Sequence, residues 1–143
     1  MQIEPMRECH RETILAMMRV FYASAAVATD GSEEIFRADF DACVGESPYL
    51  EGYVFTENGA VIGYAMAAKS FSTEYGRPCI WIEDLYLLPE HRGKGHGSRF
   101  LRFMEEKYPG AILRLEVEAD NRRAVHVYRK NGFDEMPYLE MKK

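Results

Sequence analysis

The stretch Leu88–Ser98, LPEHRGKGHGS, places three glycines on alternate positions where a helical pattern begins. Small, apolar and aromatic residues recur on one face and predict a helix over 95–108: Gly97, Phe100, Leu101, Met104, Tyr108. The first N–H groups of a helix lack internal acceptors, and the helix dipole adds partial positive charge there. Glycine leaves this backbone open to a ligand. The stretch therefore predicts an anion-binding loop, although an ordinary strand-to-helix connection is the alternative.

The spacing of the glycines limits which anion the loop would bind. The P-loop pattern GxxxxGK[ST] fails because Gly95 follows Lys94, and the dinucleotide pattern GxGxxG fails because Ser98 stands where its third glycine belongs. The pattern that remains is RxxGxG, from Arg92 to Gly97. A nucleotide phosphate bound by an unrelated enzyme stays an alternative at this point.

Composition indicates one globular domain over residues 1–143, with 47% hydrophobic and 29% charged residues. We expect a cytoplasmic protein without a membrane partner, because the N-terminus is charged and no apolar run approaches the ~20 residues of a membrane span. The net charge of −5 argues against a nucleic-acid partner. Three widely spaced cysteines and four scattered histidines show no metal-ligand spacing, so no metal site is expected.

Hydrophobic periodicity and turn residues predict alternating elements along the whole chain. Predicted strands cover 2–6, 52–56, 60–71, 79–87, 111–118 and 133–141, and predicted helices cover 7–24, 32–44, 95–108 and 121–131. Asn58 and Gly59 suit a tight hairpin turn between the second and third strands. This order implies an α/β (α+β) fold whose single sheet is mostly antiparallel early and βαβ-like late.

Two segments resemble the Gcn5-related N-acetyltransferase (GNAT) superfamily. The segment WIEDLYLLPEHRGKGHGSRFL, residues 81–101, is similar to its motif A, and LRLEVEADNRRAVHVYRKNGF, residues 113–133, is similar to its motif B. The upstream order of two helices and a hairpin agrees with the same family. The resemblance implies a mixed, mostly antiparallel sheet of six to seven strands flanked by about four helices.

The resemblance also implies acetyl-CoA as the acetyl donor, with no metal. Its pyrophosphate would lie on the backbone amides of the loop: Arg92, Gly93, Lys94, Gly95, His96, Gly97, Ser98. Its pantetheine arm would pair like an added strand with Leu85, Tyr86 and Leu87, on a strand that in the family is bulged and splayed from the next. Asn121 and Tyr128 would contact the donor from the last helix.

Acetyl transfer to an amine requires a proton donor for the departing thiolate. Tyr128 is the candidate general acid, because a phenol with a pKa of ~10 is protonated at pH 7 and a thiol has a pKa of ~8.5. Tyr128 holds the acid position of the family, just before RKNGF. The alternative from spacing alone is that Tyr128 packs as a core residue.

The amine must also lose a proton, since an alkylammonium has a pKa of ~10.4. Glu83, acting through water, is the candidate general base, and Asp84 is the reserve. In a regular strand these neighbours point to opposite faces, so only one would face the thioester. A paired or solvated Glu83 is one alternative, and direct binding of the free amine without a base is another.

Together these features predict an acetyl-CoA-dependent N-acetyltransferase that modifies a small-molecule primary amine by direct attack in a ternary complex. The cofactor half is similar to spermidine/spermine N-acetyltransferases. The acceptor half, 1–78, differs most within the family, so aminoglycosides, amino acids, and protein N-termini or lysines stay open. A noncatalytic acyl-CoA-binding sensor is a further alternative. Acidic residues in that half would favour a cationic acceptor if one or two of them face the cleft: Glu33, Glu34, Asp39, Asp41. A homodimer could pair through the last strand.

Overall fold

The computed structural model describes residues 1–143 and contains one five-stranded sheet in the order β1-β2-β3-β4-β5. The strands are β1 (Gln2–Pro5), β2 (Leu50–Glu57), β3 (Ala60–Ser72), β4 (Arg77–Leu87) and β5 (Ile112–Leu115). The helices are α1 (Arg11–Tyr22), α2 (Glu33–Val44), α3 (His96–Lys107) and α4 (Arg122–Lys130), with 3₁₀ turns at Glu8–His10 and Pro89–His91. The first four strands are antiparallel and β4 pairs with β5 in parallel, which confirms the predicted change of topology.

Local signals explain where several elements begin and turn. The hydroxyl of Ser32 accepts a hydrogen bond from the Ile35 amide at 3.2 Å and so caps α2. Asn58 and Gly59 adopt φ values of 52° and 81°, the left-handed conformations that the hairpin between β2 and β3 needs. The turn confirms the sequence prediction, and the cap agrees with the predicted start of this helix at residue 32.

The sheet is covered on both faces, so its central strands are buried on both sides. One core joins α1 and α2 to one face of the sheet, with Ile14, Phe40, Val54, Tyr64 and Tyr86 among its members. The other core joins α3 to the opposite face, with Phe55, Ile80, Ile82, Phe100 and Met104 among its members. No helix is both long and apolar enough to cross a membrane.

The predicted strand 133–141 does not form, so the sheet has five strands rather than six to seven. Its free neighbour would be β5, which is only four residues long. Pro137 lacks the N–H that a ladder needs, and Leu139 and Met141 are almost fully exposed. Side chains hold this segment instead, since Tyr138 donates a hydrogen bond to Glu74 at 2.8 Å and Arg129 pairs with Glu135. The expected dimer contact through this strand therefore loses its structural basis.

Candidate active site

The glycine-rich loop presents a row of free backbone donors. The amides of Gly93 to Ser98 donate no hydrogen bond to any other group of the protein. Gly93 and Gly95 have φ values of 80° and 82°, and Gly95 is the residue from which α3 begins. Left-handed glycines followed by the first turn of a helix form a concave surface of N–H groups, which is suited to an anion. The loop therefore offers free amides in an arrangement suited to an anion, and its anion-binding role stays a prediction.

Two basic residues, Arg92 and Arg123, lie beside the loop, and Arg92 does not offer the free amide that was expected of it. The amide of Arg92 is not free, because it donates to the Pro89 carbonyl at 3.2 Å, so the row of donors begins at Gly93. The guanidinium of Arg92 donates to the Leu87 carbonyl at 2.8 Å and lies over the Tyr86 ring. Arg123 of α4 reaches the loop, since a Cβ atom on Gly93 would stand 3.1 Å from its guanidinium nitrogen.

Strands β4 and β5 separate at the point where the site begins. Their pairing runs only from Cys79–Ile112 to Ile82–Leu115. Beyond it, Leu85, Tyr86 and Leu87 still pair with β3 but have no strand on their other side. A free strand edge next to an anion-binding loop can pair with an extended ligand through backbone hydrogen bonds.

A β-bulge at Glu83 changes which side chains of β4 face α1 and α2. Met66 pairs with Asp84 and Ala67 with Ile82, so Glu83 has no partner on β3. Ile82 packs into the α3-side core, whereas Asp84 contacts Tyr64 and Tyr22 on the opposite face. Glu83 and Asp84 line one pocket. The strand is therefore bulged, as the family resemblance implies, and the condition of a regular strand, under which only one of the two carboxylates would face the thioester, does not hold.

This pocket is a cavity of about 280 Å³ beneath α1 and α2. Its lining combines apolar walls with three carboxyl groups and one phenol: Leu50, Met66, Ala68, Asp39, Glu83, Asp84, Tyr22. Of the four acidic side chains considered on the second helix, Asp39 is the one that lines it. No basic side chain lines the pocket, so its electrostatic character favours a cation.

The three carboxyl groups of the pocket have raised pKa values. Burial raises the pKa of Asp84 to about 6, even though hydrogen bonds from Tyr64 at 2.8 Å and Tyr22 at 3.0 Å favour its charged form. Loss of water around its carboxyl group raises the pKa of Glu83, and the charges of Asp39 and Glu140 add to this. Burial also raises the pKa of Asp39. Carboxylates in this state are better proton acceptors than solvated ones.

The raised pKa of Asp84 predicts a pH-dependent loss of stability. Its pKa of about 6, against an ordinary 3.8, means that the native state holds a proton that the unfolded chain releases. The stabilisation is therefore complete below pH 3.8 and is lost as the pH rises through 6. We expect the free energy of unfolding of Asp84→Asn, relative to that of the native chain, to rise by about 2 kcal/mol between pH 4 and pH 7.5. Urea titrations at the two pH values measure this difference, and a constant difference would contradict the assignment.

Tyr128 lies on α4, packed against the α3-side core with its ring 5.9 Å from that of Phe133. Its hydroxyl makes no hydrogen bond within the protein, and burial raises its pKa, so the phenol keeps its proton at neutral pH. Asn121 is the N-cap of α4, because its side-chain oxygen accepts from the Ala124 amide at 3.2 Å. That bond occupies the carbonyl end of Asn121 and leaves its NH₂ group free.

Two further residues shape the site and were not among the predicted ones. Asn131 donates to the Ser98 hydroxyl at 2.8 Å and to the Val127 carbonyl at 2.7 Å, which ties the end of α4 to the first turn of α3. Tyr22, at the end of α1, reaches Asp84 across the pocket. The motif RKNGF contains Asn131 and was a usable signal, whereas nothing in the sequence places Tyr22 near residue 84.

Comparisons with known proteins agree with this architecture. The family model described as Acetyltransferase (GNAT) family matches residues 15–133. Thialysine N-epsilon-acetyltransferase of Bos taurus is 34% identical over 120 residues, which cover 76% of this chain and 68% of the relative. An uncharacterized N-acetyltransferase of Bacillus subtilis, YhfO, is 31% identical over 82% of this chain and 76% of its own length.

A solved structure of AAC(6')-Iy in complex with the bisubstrate analogue CoA-S-monomethyl-acetylneamine shares the fold. It superposes with a TM-score of 0.79 at 17% identity, over 99% of this chain and 96% of that one. The family model covers the loop, the bulged strand and Tyr128 together. The chain therefore belongs to the GNAT acetyltransferase family and is an N-acetyltransferase.

Proposed function

We propose that this protein transfers the acetyl group of acetyl-CoA to a primary amine of a small molecule that carries positive charge. The observation on which the proposal depends is the bulge at Glu83. Glu83 and Asp84 line the same pocket, and in the chain they lie between the last β4–β5 pair at Ile82 and the free edge at Leu85 to Leu87. The relative named thialysine N-epsilon-acetyltransferase is named for an amine acceptor, which is of the same chemical kind.

The residues that would hold the donor fit it in charge and in shape. Free amides from Gly93 to Ser98 offer donors for a diphosphate, and Arg123 adds a cation beside them. The free edge at Leu85 to Leu87 offers backbone groups for an extended arm that contains amides. When bound, the donor supplies an acetyl thioester. The chain supplies binding, orientation and proton transfer.

The size and charge of the pocket favour a small cationic acceptor. A cavity of about 280 Å³ is at the small end of ligand sites in proteins, which favours a small molecule. Asp39, Glu83 and Asp84 would attract an ammonium ion and orient it towards the diverging strands. If the acceptor carries a second ammonium group, that group would stay paired with a carboxylate after the reacting amine has lost its proton.

Three groups of the chain would perform the chemistry. Glu83 takes a proton from the ammonium group, directly or through water, and so exposes the nitrogen lone pair. A backbone N–H on the free edge of β4 stabilises the oxygen that gains negative charge during attack. Tyr128 donates its proton to the departing sulfur, and solvent later restores that proton.

An amine panel scored by thiol release tests the proposal. The panel holds thialysine, lysine, spermidine, an aminoglycoside and two peptides, one with a free N-terminus and one with an internal lysine. We expect turnover with at least one of the small cationic amines and none with N-acetylated versions of them. Turnover with the peptides alone would favour a protein N-acetyltransferase, because a small-molecule pocket would then be unused. Tight acetyl-CoA binding without thiol release for any amine would favour the noncatalytic sensor.

The donor site is tested separately by Gly95→Ala. At φ 82° a side chain costs about 1–2 kcal/mol of strain, and the space around Gly95 is otherwise open. The variant should relieve this strain by moving the loop, and we expect acetyl-CoA affinity to fall about 10-fold in calorimetric titrations. Gly76→Ala is the matched control, because Gly76 has φ 64°, equally open surroundings and a place in the β3–β4 turn. Equal loss of affinity in both variants would contradict the assigned role of the loop.

A further inference from the structure

The fold brings together two histidines and a glutamate that the sequence leaves apart. His91 ends the 3₁₀ turn before the glycine loop, His96 begins α3 after it, and Glu57 ends β2. The Nδ1 atom of His91 lies 3.2 Å from Glu57 Oε2, and the Nε2 atom of His96 lies 3.7 Å from Glu57 Oε1. The three ligand atoms all lie within 4.8 Å of one another.

Both imidazole nitrogens lack a hydrogen-bond partner. His91 Nδ1 and His96 Nε2 are buried atoms, and the contacts with Glu57 do not have hydrogen-bond geometry. A buried polar atom without a partner costs about 1–3 kcal/mol, so native proteins normally supply one. Two such atoms directed at one carboxylate therefore require an explanation that ordinary packing does not give.

We propose that Glu57, His91 and His96 form a binding site for a divalent transition-metal ion of the Zn²⁺ type. Two imidazole nitrogens and one carboxylate oxygen are a ligand set that Zn²⁺ uses in proteins, with a fourth position left to water. Bonds of about 2.0–2.1 Å at tetrahedral angles separate ligand atoms by about 3.3 Å. The three ligand atoms lie within 4.8 Å of one another, so binding an ion requires the side chains to close in by up to about 1.5 Å. This proposal departs from the expectation, drawn from residue spacing, that the chain has no metal site.

Charged groups near the site set the conditions for binding. The amino group of Met1 lies 3.7 Å from Glu57 Oε1, and Lys94 lies between the two histidines in the sequence. Both positive charges oppose the metal ion.

A metal ion at this site would also affect the glycine-rich loop. A bound ion would join the end of β2 to residues on both sides of Arg92–Gly95, and His96 also supplies one of the free amides. It would hold the row of N–H groups in one arrangement before an anion arrives, which lowers the ordering cost of binding. We infer that the metal tightens acetyl-CoA binding about 3- to 10-fold; this second inference rests on the proposed donor site, whereas the metal site does not.

Zn²⁺ and Co²⁺ titrations of the untagged full chain test the metal site. We expect one Zn²⁺ bound with a dissociation constant of about 10 μM or tighter, weakened at least 10-fold in His91→Gln and in His96→Gln. His126→Gln is the control, because His126 is exposed on α4. Co²⁺ should give the visible spectrum of nitrogen and oxygen ligands, without a thiolate charge-transfer band, and should keep it in Cys9→Ser.

The outcomes separate the two inferences. Zn²⁺ binding that survives both histidine substitutions, a thiolate band, or no binding at 1 mM Zn²⁺ would overturn the metal site. Thermal melts without metal should match for all variants, which shows that each variant folds. Zn²⁺ binding without any change in acetyl-CoA affinity would overturn the coupling, and no acetyl-CoA binding with or without Zn²⁺ would overturn the proposed donor site while the metal titration stands.

Discussion

Replacing Tyr128 with phenylalanine should lower kcat by about 100-fold while the affinity for acetyl-CoA changes less than twofold. The ring contact with Phe133 at 5.9 Å is kept by phenylalanine, and the lost hydroxyl makes no hydrogen bond within the protein. The variant therefore removes a proton donor and very little packing. Stopped-flow or steady-state thiol release with the best amine measures kcat, and calorimetry measures the affinity.

Tyr138→Phe is the matched control for this experiment. This substitution also removes a phenolic hydroxyl, but the side chain of Tyr138 is exposed in the C-terminal segment and contacts Glu74. We expect its kcat to equal that of the native chain. An unchanged kcat in Tyr128→Phe would remove Tyr128 from the mechanism, and an equal loss of kcat and of acetyl-CoA affinity would favour a packing role instead.

Replacing Glu83 with glutamine should lower kcat/KM for the amine by about 100-fold at pH 7. Glutamine keeps the size of the side chain but cannot accept the proton of the ammonium group. The loss should shrink as the pH approaches 10, because an amine with a pKa of ~10.4 then loses its proton to solvent. In the native chain the raised pKa of Glu83 places the rise of activity with pH above the ordinary glutamate range.

Asp84→Asn separates the base from its neighbour. Both oxygens of Asp84 accept hydrogen bonds from phenols, so we expect Asp84 to position its neighbours rather than to take the proton. Its replacement should therefore lower kcat/KM by less than 10-fold. Glu83→Gln with the same loss at every pH would contradict a role as base. A larger loss in Asp84→Asn than in Glu83→Gln would transfer that role to Asp84.

The sequence predicts the loop and its helix because both depend on local chemistry. Glycines at 93 and 95 and the apolar pattern after them act over a few residues, and the structure confirms both. The cap at Ser32 and the turn at Asn58 are local in the same way. Features of this kind need no knowledge of the partner elements.

The bulge could not be predicted from the residues because it is a property of the β3–β4 register. Ile80, Ile82, Asp84 and Tyr86 are all buried at alternate positions, as in an unbroken strand. The first two face the α3 side and Tyr86 faces the α1 side, because the extra residue at Glu83 reverses the alternation. The alternation of buried residues therefore continues unbroken through the reversal, so the sequence pattern gives no signal.

Long-range placement also explains the other differences. Glu57 and His91 are far apart in the sequence, so no local pattern predicts their contact. The contact arises because β2 and the 3₁₀ turn meet at one end of the sheet. The strand predicted at 133–141 has suitable residue types, but its free neighbour β5 is too short to pair with it along its length. Strand formation depends on a partner as much as on composition.

Backbone amide spectra of the ¹⁵N-labelled protein test the central claim most directly, because Gly93, Gly95 and Gly97 each report on one loop amide. Titration with CoA should shift the amides from Gly93 to Ser98 most strongly, whereas pantetheine, which lacks the diphosphate, should leave them nearly unchanged and perturb Leu85 to Leu87 instead. CoA binding that leaves the three glycine signals unmoved would contradict the claim that this loop holds the diphosphate.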